Sequence, residues 1–207
     1  MRKLTLFILL ISLSSYSQES IEQKFDIAFS YGLSYIDYAN YSSTDPINLD
    51  LPSVGSFYEI NFDYKLPKNR YIGFGYSRQQ HSKSIDDGVL ITSTNTALIL
   101  ENYENIHTKD FFDVHFRTVF KNNIQFTVGA LFFIENLTTN TISTDETNIY
   151  FVLNNEENRS DNFGLFGSLE YYFKLTNYAE IGLKGKLYYS LNGLETLSLL
   201  PTLRVKL

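Results

Sequence analysis

Residues 162–190 read NFGLFGSLEYYFKLTNYAEIGLKGKLYYS, two alternating runs joined by the polar break LTNY at 175–178. In the first run Phe163, Leu165, Gly167, Leu169, Tyr171 and Phe173 share one face, opposite Gly164, Phe166, Ser168, Glu170, Tyr172 and Lys174. In the second, Ala179, Ile181, Leu183, Gly185, Leu187 and Tyr189 oppose Glu180, Gly182, Lys184, Lys186 and Tyr188. Side chains alternate across a pleated backbone, so a two-residue period is a strand signal. The pair predicts a hairpin with one apolar face and one charged face.

The same pattern recurs. FDIAFSYGLSY (25–35), FYEINFDYKL (57–66), YIGFGYS (71–77), FDVHFRTVF (112–120), IQFTVGALFFIE (124–135) and LSLLPTLRVKL (197–207) complete a set of eight strands. The breaks PKNR (67–70), KNN (121–123) and LTNY are short, whereas the connections at 37–55, 79–110, 136–160 and 190–196 lie together at the other end. Small membrane barrels have short periplasmic turns and longer outer loops. The expected fold is all-β: a closed antiparallel up-and-down transmembrane β-barrel of eight strands. The strand-like pieces within 89–110 and at 149–153 leave ten strands as the alternative. Both are read as β-structured extensions above the membrane, because Ala97–Leu100 is apolar on both faces.

The faces decide which solvent lies outside. Only helices and closed sheets satisfy every backbone group in hydrocarbon. Eleven residues at about 3.3 Å each, tilted near 40°, cover roughly 28 Å, enough for the apolar band of such a barrel. The apolar faces hold no Asp, Glu, Lys or Arg. The opposite faces hold Asp26, Glu59, Asp63, Lys65, Asp113, Arg117, Glu135, Glu170, Lys174, Glu180, Lys184, Lys186, Arg204 and Lys206, with His115 between Asp113 and Arg117. A charge facing lipid costs about 2–4 kcal/mol at the midplane, so these groups are expected inside, paired as an interlocked structural network. Glycines 73, 75, 129, 164 and 182 fall on the same inner face and leave room for long side chains.

At the N-terminus, MRKLTLFILLISLSSYSQES has a basic start, the apolar run Leu4–Leu13 and small residues for cleavage after Ser17. Residues 1–17 are therefore expected to be a signal peptide and 18–207 the barrel domain; the apolar run is too short to span as a helix. Loss of the leader removes Arg2 and Lys3 and no acid, leaving 15 basic and 23 acidic side chains, a formal charge of −8. That balance argues against nucleic acid as a partner. Cysteine is absent, which removes disulfides and a lipidated cysteine from consideration.

The leader, the eight runs and the alternating loop lengths together resemble the small eight-stranded outer-membrane β-barrel proteins of Gram-negative bacteria, and the SYSQ junction is similar to the form common in Bacteroidota. The resemblance implies location in the outer membrane, contact with its lipid or lipopolysaccharide, and insertion by the outer-membrane assembly machinery. LPTLRVKL (200–207) has the alternating end that this machinery reads in such families, but departs in ending on Leu207 and in carrying Pro201. Proline cannot donate to a ladder, so a bulge or a late strand start is expected there.

Some barrels of this class trim or transfer lipid A acyl chains. His115 is placed to pair with Asp113 but faces the interior, and His81 and His107 fall near the second long connection, where a histidine is ordinarily solvated. No catalytic, cofactor or metal residue is assigned; DD (86–87) and TDET (144–147) lack the ligand spacing of a calcium loop. The sequons at 40–42, 136–138 and 158–160 carry no weight in a bacterial chain. The leading expectation is a non-enzymatic barrel that is structural, adhesive or partner-binding through long extracellular loops, with a protein partner expected there. The alternatives are a lipid A-modifying membrane enzyme, a narrow channel, and a periplasmic or secreted soluble barrel that binds a ligand.

Overall fold

The computed structural model describes residues 23–37, 51–85, 89–92, 97–100, 103–120, 123–138, 141–144, 149–152 and 158–207. The leader, Asn40–Ser42, Asp86–Asp87 and residues 145–147 lie outside them.

Eight strands close into an antiparallel barrel: β1 (Phe25–Tyr35), β2 (Val54–Leu66), β3 (Arg70–Ile85), β6 (Tyr103–Val119), β7 (Ile124–Thr138), β10 (Asn158–Lys174), β11 (Ala179–Ser190) and β12 (Gly193–Lys206). Each pairs with its neighbour in sequence, and β1 closes on β12 from Asp26↔Lys206 to Tyr35↔Leu197. The pieces β4 (Val89–Thr92) with β5 (Ala97–Leu100), and β8 (Thr141–Thr144) with β9 (Ile149–Val152), form separate two-stranded sheets. They do not enter the barrel, which excludes the ten-stranded alternative. In Ala97–Leu100 the period that would distinguish a lipid face from a lumen face is missing.

Several connections are shorter than the sequence pattern suggests. Strand β3 runs on to Ile85, β6 starts at Tyr103, and they stay paired up to Ile85↔Tyr103. The connection at 190–196 contracts to a turn at Leu191–Asn192. On the opposite end, Lys68, Asn69 and Asn123 take left-handed backbone angles, as tight hairpin turns require.

The outer surface is apolar. Phe163 is 73% exposed, and Leu165 and Val114 63% each. Cross-strand aromatic pairs run along this surface, with ring centroids 5.0 Å apart for Phe62–Phe74 and 5.2 Å for both Phe25–Tyr64 and Phe132–Phe163. A belt of this extent has no place in water. The soluble-barrel alternative therefore fails, because the polar groups that should be outside are in the lumen.

Pro201 produces neither a bulge nor a late start. It sits within β12 and pairs with Leu183 on the β11 side. Towards β1 the register is constant from Phe29↔Leu203 to Leu33↔Leu199, but the ladder lapses at Tyr31 and Gly32. A missing donor explains a local lapse without a shift. The register shift occurs instead beside Tyr188 and Tyr189, which pair with Thr196 and Leu194 and leave Glu195 as the extra residue.

Candidate functional site

The lumen is the one region of the described fold where polar chemistry is concentrated, and it is built in three tiers. Towards the short turns, inward side chains of β1, β2, β6, β7, β10, β11 and β12 meet in a network of ion pairs and hydrogen bonds, and β3 adds the Tyr71 ring beneath Arg117. Glu59 accepts from Lys184 at 2.5 Å and Lys186 at 2.6 Å, and Lys186 also reaches Asp113 at 3.5 Å. Arg117 donates to Asp26 at 2.5 Å and to Gln125 at 2.6 Å, with its Nε 3.4 Å from Asp63. Arg204 binds Glu170 at 2.8 Å and Glu180 at 3.4 Å, and Lys206 also binds Glu180. His115 Nδ1 lies 2.6 Å from Asp113 and its Nε2 3.0 Å from Asp63. Carboxylates only accept, so the ring bonds to both only as an imidazolium.

Above this tier the lumen is crossed by a packed apolar cluster of Phe57, Phe111, Leu131, Phe133, Phe166, Tyr188 and Leu200. Phe111 and Tyr188 centroids are 4.4 Å apart, and Lys186 Nζ sits 4.0 Å from the Phe166 centroid, joining the two tiers. The interior therefore holds an aromatic tier beside the charged groups, and these side chains close the bore as well.

A second polar tier lies beyond the aromatics. Lys109 binds Glu195 at 2.5 Å and lies 3.5 Å from Glu135, which also meets His107 at 2.5 Å. His81 Nδ1 is 2.8 Å from the Pro52 carbonyl, and its Nε2 is 2.7 Å from the Gln79 amide nitrogen and 3.2 Å from Ser34. His81 and His107 are thus buried in the wall, not solvated in a loop. The bulge explains Glu195: Glu195 and Thr196 are consecutive and both buried. Outside His81 the strand face has passed from Tyr76 to Arg78 and Gln80, so this ring lies above the apolar band. Burial pushes the His81 imidazole below its ordinary range, opposed by the Pro52 carbonyl and assisted by His107 and Lys109.

Of the inward charges expected from the sequence, Asp26, Glu59, Asp63, Asp113, His115, Arg117, Glu170, Glu180, Lys184, Lys186 and Arg204 are buried in the lower network, and Lys206 is part-buried in it. Glu135 joins the upper tier. Lys65 is half-buried at the mouth between the short turns. Lys174 departs from the expectation: it is exposed at that mouth and takes no part in the ion pairs of the described residues, because it is the last residue of β10. The sequence pattern above does not single out Lys109, Glu195 or the aromatic tier. Lys109 and Phe111 were within reach, since the period through Asp113 and His115 continues upstream to both. Glu195 was not, because a bulge breaks the period. Close approach to the charges occurs at Gly73, where an added Cβ would lie 2.6 Å from His115 Nε2 and 2.8 Å from Asp63 Oδ1.

The space left is small. The void among the lower charges is about 10 Å³, room for about one water. Asn61 Oδ1, Arg117 Nε and Arg204 Nε beside it have no hydrogen-bond partner. Among the described residues no cluster of three or more His, Cys, Asp or Glu is arranged to hold a metal.

No family model matches this chain, and no curated protein matches it. Among solved structures it is similar to Ail, the attachment invasion locus protein of Yersinia pestis in complex with the heparin analogue sucrose octasulfate, at 8% identity and a TM-score of 0.51 over 89% of this chain and 99% of that one. The fold is that of a small outer-membrane barrel. Neisserial surface protein A is similar at 10% identity and TM-score 0.45, over 88% of this chain and 96% of that one. The N-terminal β-barrel domain of Pseudomonas aeruginosa OprF gives 12% identity and 0.44, over 89% and 98%. The apolar belt and inward charges of this outer-membrane barrel place its wall in lipid, independently of those likenesses.

Proposed function

We propose that this barrel is a non-enzymatic anchor of the outer membrane, whose work is structural, adhesive or partner-binding and is carried by its extracellular connections. The observation that supports this most is the double closure of the lumen, by ion pairs around a void of about 10 Å³ and by a packed aromatic tier. A passage needs continuous water, and a lipid-modifying site needs a nucleophile that acyl chains can reach; His115 is enclosed on both ring nitrogens by carboxylates. Contact with lipopolysaccharide through the apolar belt, and insertion through the alternating end Leu203, Val205 and Leu207, belong to the same reading. So do cleavage after Ser17 and a Bacteroidota-type source, suggested by the SYSQ junction. Ail is named for attachment and was crystallised with a heparin analogue. For a mature chain of formal charge −8 a polyanion is a poor first probe, and a protein partner is the better one.

The test replaces segments 86–102 and 139–157 by short turns in cells that display the barrel, and measures cell adhesion and partner capture. Loss of both, with heat-modifiable migration retained, is the expected result. A steady single-channel conductance of the intact barrel, or altered acyl composition of outer-membrane lipids by mass spectrometry, would overturn the proposal.

A further inference from the structure

The barrel is closed in its middle but hollow at the end bearing the short turns. A cavity of about 210 Å³ opens there, well above the space left among the central charges. Among the described residues its wall carries four cations, Lys65, Lys174, Lys206 and Arg117, against two carboxylates, Asp26 and Glu180. Both carboxylates are already engaged: Asp26 accepts from Arg117 at 2.5 Å, and Glu180 accepts from Lys206 and from Arg204 at 3.4 Å. Leu207 is not among the residues lining this cavity, and its O accepts from the backbone N–H groups of Lys24 and Phe25. Arg117 Cζ sits over the Tyr71 ring, 3.8 Å from its centroid; the residue is 3% exposed, and its Nε makes no hydrogen bond, although Asp63 lies 3.4 Å away. The phenol-bearing Tyr71 and Tyr172 and the amides of Asn69 and Gln125 line the same space.

We propose that this vestibule is a periplasmic binding site for a small oxyanion, a phosphate or a carboxylate. A guanidinium fixed against a ring and lysine ammonium groups around a half-enclosed cavity are the ordinary equipment for such a ligand. The ionic network above forms a floor with room for about one water, so the anion docks and does not pass. The site depends on the barrel's orientation and closed centre. It does not depend on what the outer connections bind, so loss of the adhesive reading leaves it standing.

The experiment titrates the folded barrel in detergent with inorganic phosphate, and separately with a short peptide bearing a free or an amidated C-terminus, following the amide resonance of Asn69. Saturable binding of phosphate identifies a free ion as the source; binding of the free-carboxylate peptide and not its amide identifies a chain end. In either case Lys65→Gln/Lys174→Gln should weaken binding by about tenfold through loss of two charge-assisted contacts. Arg159→Gln, exposed on β10 at the other end, should not change it. Lys174→Gln alone serves as a second variant, because it breaks no ion pair of the described residues. Absence of saturable binding by both probes, or an equal effect of Arg159→Gln, overturns the proposal.

Discussion

Glu59 shows what a single inward residue does here. It is 3% exposed and answers two ammonium groups, Lys184 and Lys186. Removing one partner of a buried pair leaves charge uncompensated, at a cost of about 3–5 kcal/mol. Glu59→Gln is therefore expected to lower stability by that amount in urea unfolding from lipid vesicles, whereas a loss below 1 kcal/mol would mean that these lysines are hydrated in the lumen. His81 sits at the opposite end and responds to acid. Its folded-state affinity for a proton is depressed by burial, so the unfolded chain, with an ordinary value near 6.5, takes up the proton first. Stability is then full above about pH 6.5 and declines as the pH falls below it. Unfolding midpoints measured between pH 7.5 and 5 should show the decline, and His81→Gln should flatten it.

At the scale of elements, strand β10 carries lipid on one face and charge on the other, with Leu169 near the middle of its apolar stretch. Leu169→Arg is expected to cost about 2–4 kcal/mol, the depth-dependent penalty for a cation at the midplane; folding yield into vesicles measures it. Spin labels at Leu169 and Leu183 should be reached by lipid-dissolved quenchers, and labels at Glu170 and Lys184 should not. Strand β12 shows a different rule. Its proline costs only a lapse in one ladder, while its bulge at Glu195 puts a carboxylate opposite Lys109. Glu195→Ala should destabilise by less than Glu59→Gln, since Glu135 remains 3.5 Å from Lys109.

For the whole molecule the relevant quantity is free bore, and the void of about 10 Å³ leaves almost none. Purified barrel in planar bilayers should give no steady conductance. Substituting Phe57, Phe111 and Tyr188 by alanine opens the aromatic tier only, and the ionic floor below it should keep the bore shut; a stable current from that variant would show the charges to be a hydrated path. Closure at two levels fits an anchor, and the hollow left at the short-turn end fits a site that binds without transport.

The two-residue period between Phe163 and Tyr189 was enough to place Leu169 outward and Glu170 inward, because alternation is a property of the extended backbone itself. The same holds for the strand number, the short turns, and nearly every charge of the lower network, including Asp113 and Arg117. What the chain's order alone could not settle were features created by closure. Two hairpins, β4 with β5 and β8 with β9, look like further strands until the barrel's circumference leaves them out. Glu195 reaches the lumen only through a register shift, and Lys174 stands at the mouth because β10 ends there. Phe57, Phe111 and Tyr188 come from separate strands, β2, β6 and β11, and meet only because the sheet curls on itself. Local sequence sets which way a side chain points; which partners it finds across the axis is decided by shear and closure of the whole sheet.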